Sequence, residues 1–236
     1  MMLEVVTMKQ KVIKKPVIKD AAVKSKRPRI ITLACTKGGV GKSTIAFNLA
    51  VELSKIADVS VIDLDYQKSL TIFDYNRREL GMTPFKVLTV KGKVELNEAL
   101  TNGKGIIIID THAIDSDVTR LAMIAADVVL TPTTDGFLDL CGLLAFKDVI
   151  QDIRKAKKGF KAHIIINRIT AKSAGYKDVE TFAENHKDCF KILDTKIISR
   201  QEYRDAFEQG KSVCELKGKK AACEEFMKLF EEVKNL

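Results

Sequence analysis

The stretch CTKGGVGKST, residues 35 to 44, narrows what this chain can fold into more than any other ten residues in it. Three glycines within four positions, Gly38, Gly39 and Gly41, leave backbone N–H groups free to curl around an anion, and Lys42 and Ser43 follow at once. Ahead of the loop runs RIITLAC, apolar and β-branched; behind it Ala46, Leu49, Ala50 and Leu53 mark one face of a helix. Strand, glycine turn and helix in that order present a helix N-terminus to whatever the turn encloses, and the helix dipole favours negative charge there. The spacing is nearly that of G-x-x-x-x-G-K-[ST], with two departures. Thr36 stands at the first glycine's place, and an additional lysine, Lys37, follows it.

The alternation continues along the chain. VSVIDL (59–64), FKVLTV (85–90), GIIIID (105–110), DVVLTP (127–132), AHIIIN (162–167) and part of KILDTKIIS (191–199) read as further strands. Near-continuous apolar runs of this kind are buried on both faces, as in parallel sheets. Helical stretches separate them, the longest from about Leu138 to Lys157 and another from about Lys220 to Val233. The expected fold class is α/β, a three-layer α/β sandwich around a mostly parallel sheet, with ligand chemistry at the carboxyl ends of the strands. At 236 residues, 46% of them hydrophobic, the chain supports one such domain.

The net charge of +9 is unevenly spread. Residues 1 to 29 hold nine Lys and Arg against two acidic residues, a net of +7, which leaves +2 for the other 207. Residues 1–28 are expected to be a basic leader and residues 29–236 the folded domain. The leader reads as a flexible solvated tail, as the product of a start site placed upstream of the true one, Met2 and Met8 being also available, or as an arm that touches phosphates by counterion release. Five scattered cysteines without a C-x-x-C pair predict no disulfide framework and a reducing cytosol. No apolar run reaches the roughly 20 residues that cross a bilayer, and no signal-peptide pattern opens the chain. A cytoplasmic protein is expected.

The candidate chemistry follows from residue types in that frame. Gly38, Gly39, Val40 and Gly41 form the anion cradle, Lys42 adds charge near the β and γ phosphates of a nucleotide, and Ser43, with Thr44 beside it, offers a hydroxyl to Mg²⁺. Asp110 ends a run of four isoleucines, where an unpaired carboxylate is costly; a metal ion or the Lys42 and Ser43 cluster is its natural partner. Asp115 or Ser116 suits the cap of the next helix. Asn167, at the end of IIINR, has an amide able to donate to and accept from an adenine edge, and equally suits a turn. His112, His163 and His186 make no metal-ligand spacing with any cysteine.

KGGVGKST in this context resembles the deviant Walker A motif of the ParA/MinD family of P-loop ATPases. The resemblance implies ATP and Mg²⁺ as cofactors and a nucleotide-sandwich homodimer in which Lys37 reaches the phosphates held by the other copy. In charge terms that is an arginine finger supplied in trans. VIDLDYQKSLT is similar to the family's D-x-D-P-Q segment, with Tyr66 where the proline usually stands; by that match Asp65 is the water-activating carboxylate and Asp63 lies near the metal. GIIIIDTH matches the Walker B-like strand end, so Asp110 would hold Mg²⁺ through water. TPTTDGFLDLCGL resembles the segment leading into the dimer-face helix; Asp135 and Asp139 are either dimer or partner contacts, or, for Asp135, a helix cap. SRQEYRDAFEQGKSVCEL is similar to the family's late segment.

Within the family the chain looks most like the small ParA-type partition ATPases. Phe226, Leu229, Phe230 and Val233 read as a core-facing stripe, which argues against a membrane-binding terminal helix. The resemblance implies an ATP-bound dimer that binds DNA without sequence preference, associates with the nucleoid, and is released when a centromere-binding, ParB-type adaptor stimulates slow hydrolysis. Conjugative transfer and positioning of other cargo are the alternatives. Candidate DNA contacts are Arg200, Arg204, Lys217, Lys219 and Lys220, with Lys157, Lys158 and Lys161 as a second cluster, each also readable as solvated decoration.

Overall fold

Four consecutive isoleucines cannot share one side of a strand, because successive side chains point to opposite faces. Ile107 and Ile109 enter one apolar core, Ile106 and Ile108 the other. A strand buried on both faces needs helices above and below it. The structure, a computed structural model, describes residues 27–170 and 176–236. The basic leader falls almost wholly outside the described residues.

Seven strands, β1 (Arg29–Leu33), β2 (Val59–Asp63), β3 (Lys86–Leu88), β4 (Ile106–Asp110), β5 (Val128–Thr133), β6 (Ala162–Ile166) and β7 (Phe190–Ile192), form one sheet in the order β3-β2-β4-β1-β5-β6-β7. Every pairing is parallel. One core packs α3 (Lys93–Asn102), α4 (Asp117–Ala125), α5 (Phe137–Ala156) and α6 (Tyr176–Asn185) against the sheet. The other packs α1 (Lys42–Ser54), α2 (Ser69–Glu79), α7 (Glu202–Glu208) and α8 (Lys220–Lys234). This is the expected three-layer α/β sandwich, of P-loop NTPase topology.

Phe226, Leu229, Phe230 and Val233 are all buried, so the stripe of α8 is spent on the core. Among the described residues no helix is long and apolar enough to cross a membrane. Ser116 caps α4, accepting from the Thr119 N–H at 3.2 Å. Asp135 is not the cap of α5: Gly136 takes that position. The cysteine expectation also needs correcting, because Cys214 and Cys223 are joined in a disulfide, while Cys35, Cys141 and Cys189 stay free. The two lie nine positions apart in sequence, and the turn before α8 brings them together, which spacing rules do not encode.

Candidate functional site

The strand order reverses at β1, whose neighbours β4 and β5 lead to opposite edges, and ligands of open α/β sheets collect at such a switch point. Register makes the placement definite. Leu33 of β1 and Asp63 of β2 both pair with Asp110 of β4, so the phosphate-type loop and two aspartates leave the sheet at one level.

The loop is built tightly. Gly41 is the N-cap of α1 with φ of 97°, a left-handed conformation, and a Cβ there would lie 2.3 Å from Asn167 Nδ2. Asn167 itself is buried, and its Nδ2 donates to Val40 O at 2.7 Å. The amide read as an adenine contact is in place as a brace for the loop. Arg168, also left-handed at φ 56°, donates to Gly39 O. Thr36, the departure at the first glycine, donates to Gly142 O of α5 at 2.6 Å and ties the loop's start to that helix.

Lys42 is only 6% exposed, and its Nζ lies 3.3 Å from Cys35 Sγ and 3.4 Å from Lys37 O. Burial pushes the Cys35 thiol up, so it is a neutral neighbour. A buried ammonium held by a thiol and a carbonyl is a cation provided for an anion. Ser43 Oγ donates to Asp110 Oδ2 at 2.5 Å. Asp110 is fully buried; desolvation pushes its carboxyl up to about 7, against the Ser43 hydrogen bond that pulls it down. Its Oδ1 has no hydrogen-bond partner among the described residues. A hydroxyl beside a carboxylate with one orphaned buried oxygen fits Mg²⁺, which takes few protein ligands and completes its shell with phosphates and water. Among the described residues no cluster of three or more His, Cys, Asp or Glu offers an all-protein metal cage.

The other two aspartates are engaged differently. Asp63 Oδ2 accepts from the Thr71 N–H at 3.0 Å and the Thr71 hydroxyl at 3.1 Å, so this carboxylate anchors the first turn of α2 while facing Asp110 across the sheet. Asp65 sits in the turn beyond β2, its Oδ1 accepting from the Gln67 N–H at 2.9 Å. Thr44 opens α1 beside Ser43, its carbonyl accepting from Asn48 Nδ2.

Lys37 does not point into the cradle. Its Nζ lies 2.8 Å from Asp139 Oδ2 on α5, which also accepts from Thr134 Oγ1 at 2.7 Å. Asp139 is buried, and its Oδ1 has no hydrogen-bond partner among the described residues. Large apolar side chains stand exposed on the same loops and helix start: Tyr66 after β2, Ile114 after β4, and Phe137 and Leu138 on α5.

The basic candidates divide. Arg200 pairs with Glu225 at 3.2 Å, and Lys157 Nζ donates to Ile124 O and Ala126 O, so both are committed to structure. Lys217, Lys219 and Lys220 are exposed around Gly218 at the start of α8, and Lys158, Lys161 and Arg204 are exposed as well. Two features were missed from sequence: Arg168 as a brace of the loop, adjacent to the flagged Asn167, and Glu225 as the partner of Arg200.

Residues 31–213 match the model of the CobQ/CobB/MinD/ParA nucleotide binding domain family. The chain is 27% identical over 207 residues to the maintenance of carboxysome distribution protein A of Halothiobacillus neapolitanus, covering 86% of this chain and 95% of that one. A plasmid partition protein from Borrelia burgdorferi B31, solved with AMPPNP, superposes with a TM-score of 0.64 at 25% identity, covering 89% of this chain and all of that one. The septum site-determining protein MinD from Pyrococcus horikoshii OT3, solved with Mg-ADP, shares the fold with a TM-score of 0.62 at 20% identity over 87% of this chain and 96% of that one. A family match across the phosphate-type loop, both aspartate-bearing strand ends and Asn167 makes this chain a member of the ParA/MinD family of nucleotide-binding ATPases.

Proposed function

We propose that the chain is a ParA-type partition switch. In this reading residues 29–236 are the ATPase domain behind a basic leader, 1–28. Two copies close over bound ATP, the closed dimer binds DNA without sequence preference on the nucleoid, and a centromere-binding adaptor of ParB type stimulates the slow hydrolysis that releases it. The observation that carries the reading is the state of Lys37: a lysine at the mouth of the phosphate loop, held by a helix outside it and rimmed by exposed apolar side chains. A cation meant for its own nucleotide would gain nothing from that position; one meant for a second copy's phosphates is displayed where a second copy would dock.

The roles of the other residues follow from the same geometry. The N–H groups of Gly38, Gly39, Val40 and Gly41 and the Lys42 ammonium bind phosphate oxygens, with Ser43 and Thr44 at the first turn of α1. Ser43 and Asp110 would hold Mg²⁺, which when bound neutralises charge on the phosphates. Asp65 orients water; Asp63 holds the start of α2 and so the turn that carries Asp65. Asn167 keeps the loop in its binding shape from the nucleoside side.

Binding to random-sequence duplex DNA with ATP, ADP or no nucleotide tests the reading. Wild type is expected to bind only with ATP, Asp65→Ala to keep that binding, and Lys37→Ala to lose it. Nucleotide-independent binding, or none, would sink the DNA switch. A second reading, positioning of a protein assembly, is supported by the similarity over 95% of the length of a carboxysome distribution protein. It shares the DNA step and differs in the adaptor, so an adaptor that stimulates hydrolysis without binding a centromere would favour it.

A further inference from the structure

A cavity of about 390 Å³ opens beside the first turn of α1, reaching from Ser43, Thr44 and Asn167 to a wall made by Ile198, Arg200 and Tyr203. That wall lies between β7 and the early turns of α7, where the Ile197 N–H donates to Ile166 O of β6 at 2.9 Å and an isolated bridge joins Ile169 to Ile198. It is fastened from α8 as well. Glu225 Oε1 accepts from the Ile198 N–H at 3.0 Å and the Tyr203 hydroxyl at 3.4 Å, and Oε2 accepts from the Arg200 guanidinium at 3.2 Å. All three donors belong to cavity-lining residues, and Glu225 is only 12% exposed.

The chemistry makes this one carboxylate hard to replace. Burial, reinforced by the Glu225 charge, pushes the Tyr203 phenol up, so the hydroxyl stays a donor. Arg200 uses its terminal nitrogen on Glu225, while its buried Nε has no hydrogen-bond partner among the described residues, so the bond to Glu225 carries much of what holds the guanidinium in place. Glu232, two turns further along α8, makes a similar pair of bonds to the Asp194 and Thr195 N–H groups, but neither residue lines the cavity.

We propose that Glu225 is a positioning residue for the nucleoside end of the ligand: it holds Ile198, Arg200 and Tyr203 as one wall and so sets the space for base and ribose without touching the nucleotide. The inference rests on reading the glycine loop as the phosphate site and the adjoining cavity as the nucleoside site.

Calorimetric titration of the full chain with ADP and with inorganic pyrophosphate, both with Mg²⁺, separates the two. Wild type is expected to bind ADP more tightly than pyrophosphate. Glu225→Gln is expected to weaken ADP about tenfold, the loss of a charge-assisted bond, with pyrophosphate binding unchanged, while the melting temperature of the free protein falls because the same bonds are made without ligand. Tyr203→Phe, which deletes one of the three bonds and keeps the ring, is expected to weaken ADP about threefold and carries the same test if Glu225→Gln does not fold. Glu232→Gln should leave ADP binding alone. Unchanged ADP affinity in Glu225→Gln and Tyr203→Phe overturns the proposal, as does an equal loss for ADP and pyrophosphate, which would make Glu225 a general support. Equal wild-type affinity for the two ligands would mean that the cavity takes no nucleoside, and the underlying reading would fall with it.

Discussion

Asp110 carries a conflict that a single substitution can expose. The unfolded carboxyl titrates near 3.8 and the folded one at about 7, so between those values the folded state keeps a proton that the unfolded state has lost. Stability from this group therefore falls as pH rises from about 4 to 7 and levels off above. Asp110→Asn, measured without nucleotide in chelator, is expected to remove that slope and to gain on the order of 2–4 kcal/mol at pH 8, while losing Mg²⁺-dependent nucleotide affinity. Urea denaturation of both proteins between about pH 5 and 8 reads the difference; parallel curves would contradict it. Lys37 and Asp139 give the complementary case. The pair is half-exposed on the lysine side, so it is weak enough to exchange for a stronger anion. Asp139→Asn is expected to raise the ATP-dependent dimer fraction a few-fold, about the value of one such ion pair, with nucleotide affinity of the monomer unchanged; sedimentation with and without ATP would show it. Gly41 allows no such adjustment, since any side chain there meets Asn167.

At the scale of elements, the short segment before α8 is where helices from different parts of the chain meet. Ser212 Oγ donates to Glu52 Oε1 and the Val213 N–H to Asn48 Oδ1, both on α1; Glu215 accepts from Arg77 on α2. Cys214, between them, is bonded to Cys223 on α8. Closing a loop of about ten residues stabilises by about 2–3 kcal/mol in the chain-entropy account. Cys223→Ser is accordingly expected to lose that much without reductant and nothing with it, as read by denaturation in each condition. None of this was legible in the sequence, because it joins residues far apart through side chains of ordinary composition. The central strands were legible: runs such as GIIIID are too apolar to be exposed and too short to be helices. β3 and β7, at the sheet edges, have one partner each and pair over three residues, fewer than their apolar runs suggested. The glycine loop was legible because its backbone demands glycine. The uses of the Asp63 carboxylate and the Asn167 amide were not: Thr71 and Val40 come against them only when the sheet is assembled.

At the scale of the molecule, charge and apolar surface are placed for different partners. Exposed apolar side chains stand on the loops after β2 and β4 and at the start of α5, as Tyr66, Ile114, Phe137 and Leu138, whereas Lys217, Lys219 and Lys220 stand exposed around Gly218 at the N-terminus of α8, where the α8 dipole adds to their positive field. The rest of the folded domain is nearly neutral, so a DNA affinity that depends on dimerisation has to come from such a local cluster presented twice. Three lysines on each of two copies release up to six counterions, which gives a slope of log K against log salt of about −5. Reversing all three to glutamate is expected to abolish ATP-dependent binding to random duplex while leaving ADP affinity and the ATP-dependent dimer intact, because the turn lies outside the residues that line the phosphate site. Single reversals should each lower the slope by about 2 in the dimer. Fluorescence anisotropy of a labelled duplex across a salt series measures both quantities, and an unchanged slope in the triple variant would move the DNA contact to Lys158, Lys161 and Arg204, the other exposed cations of the original candidates.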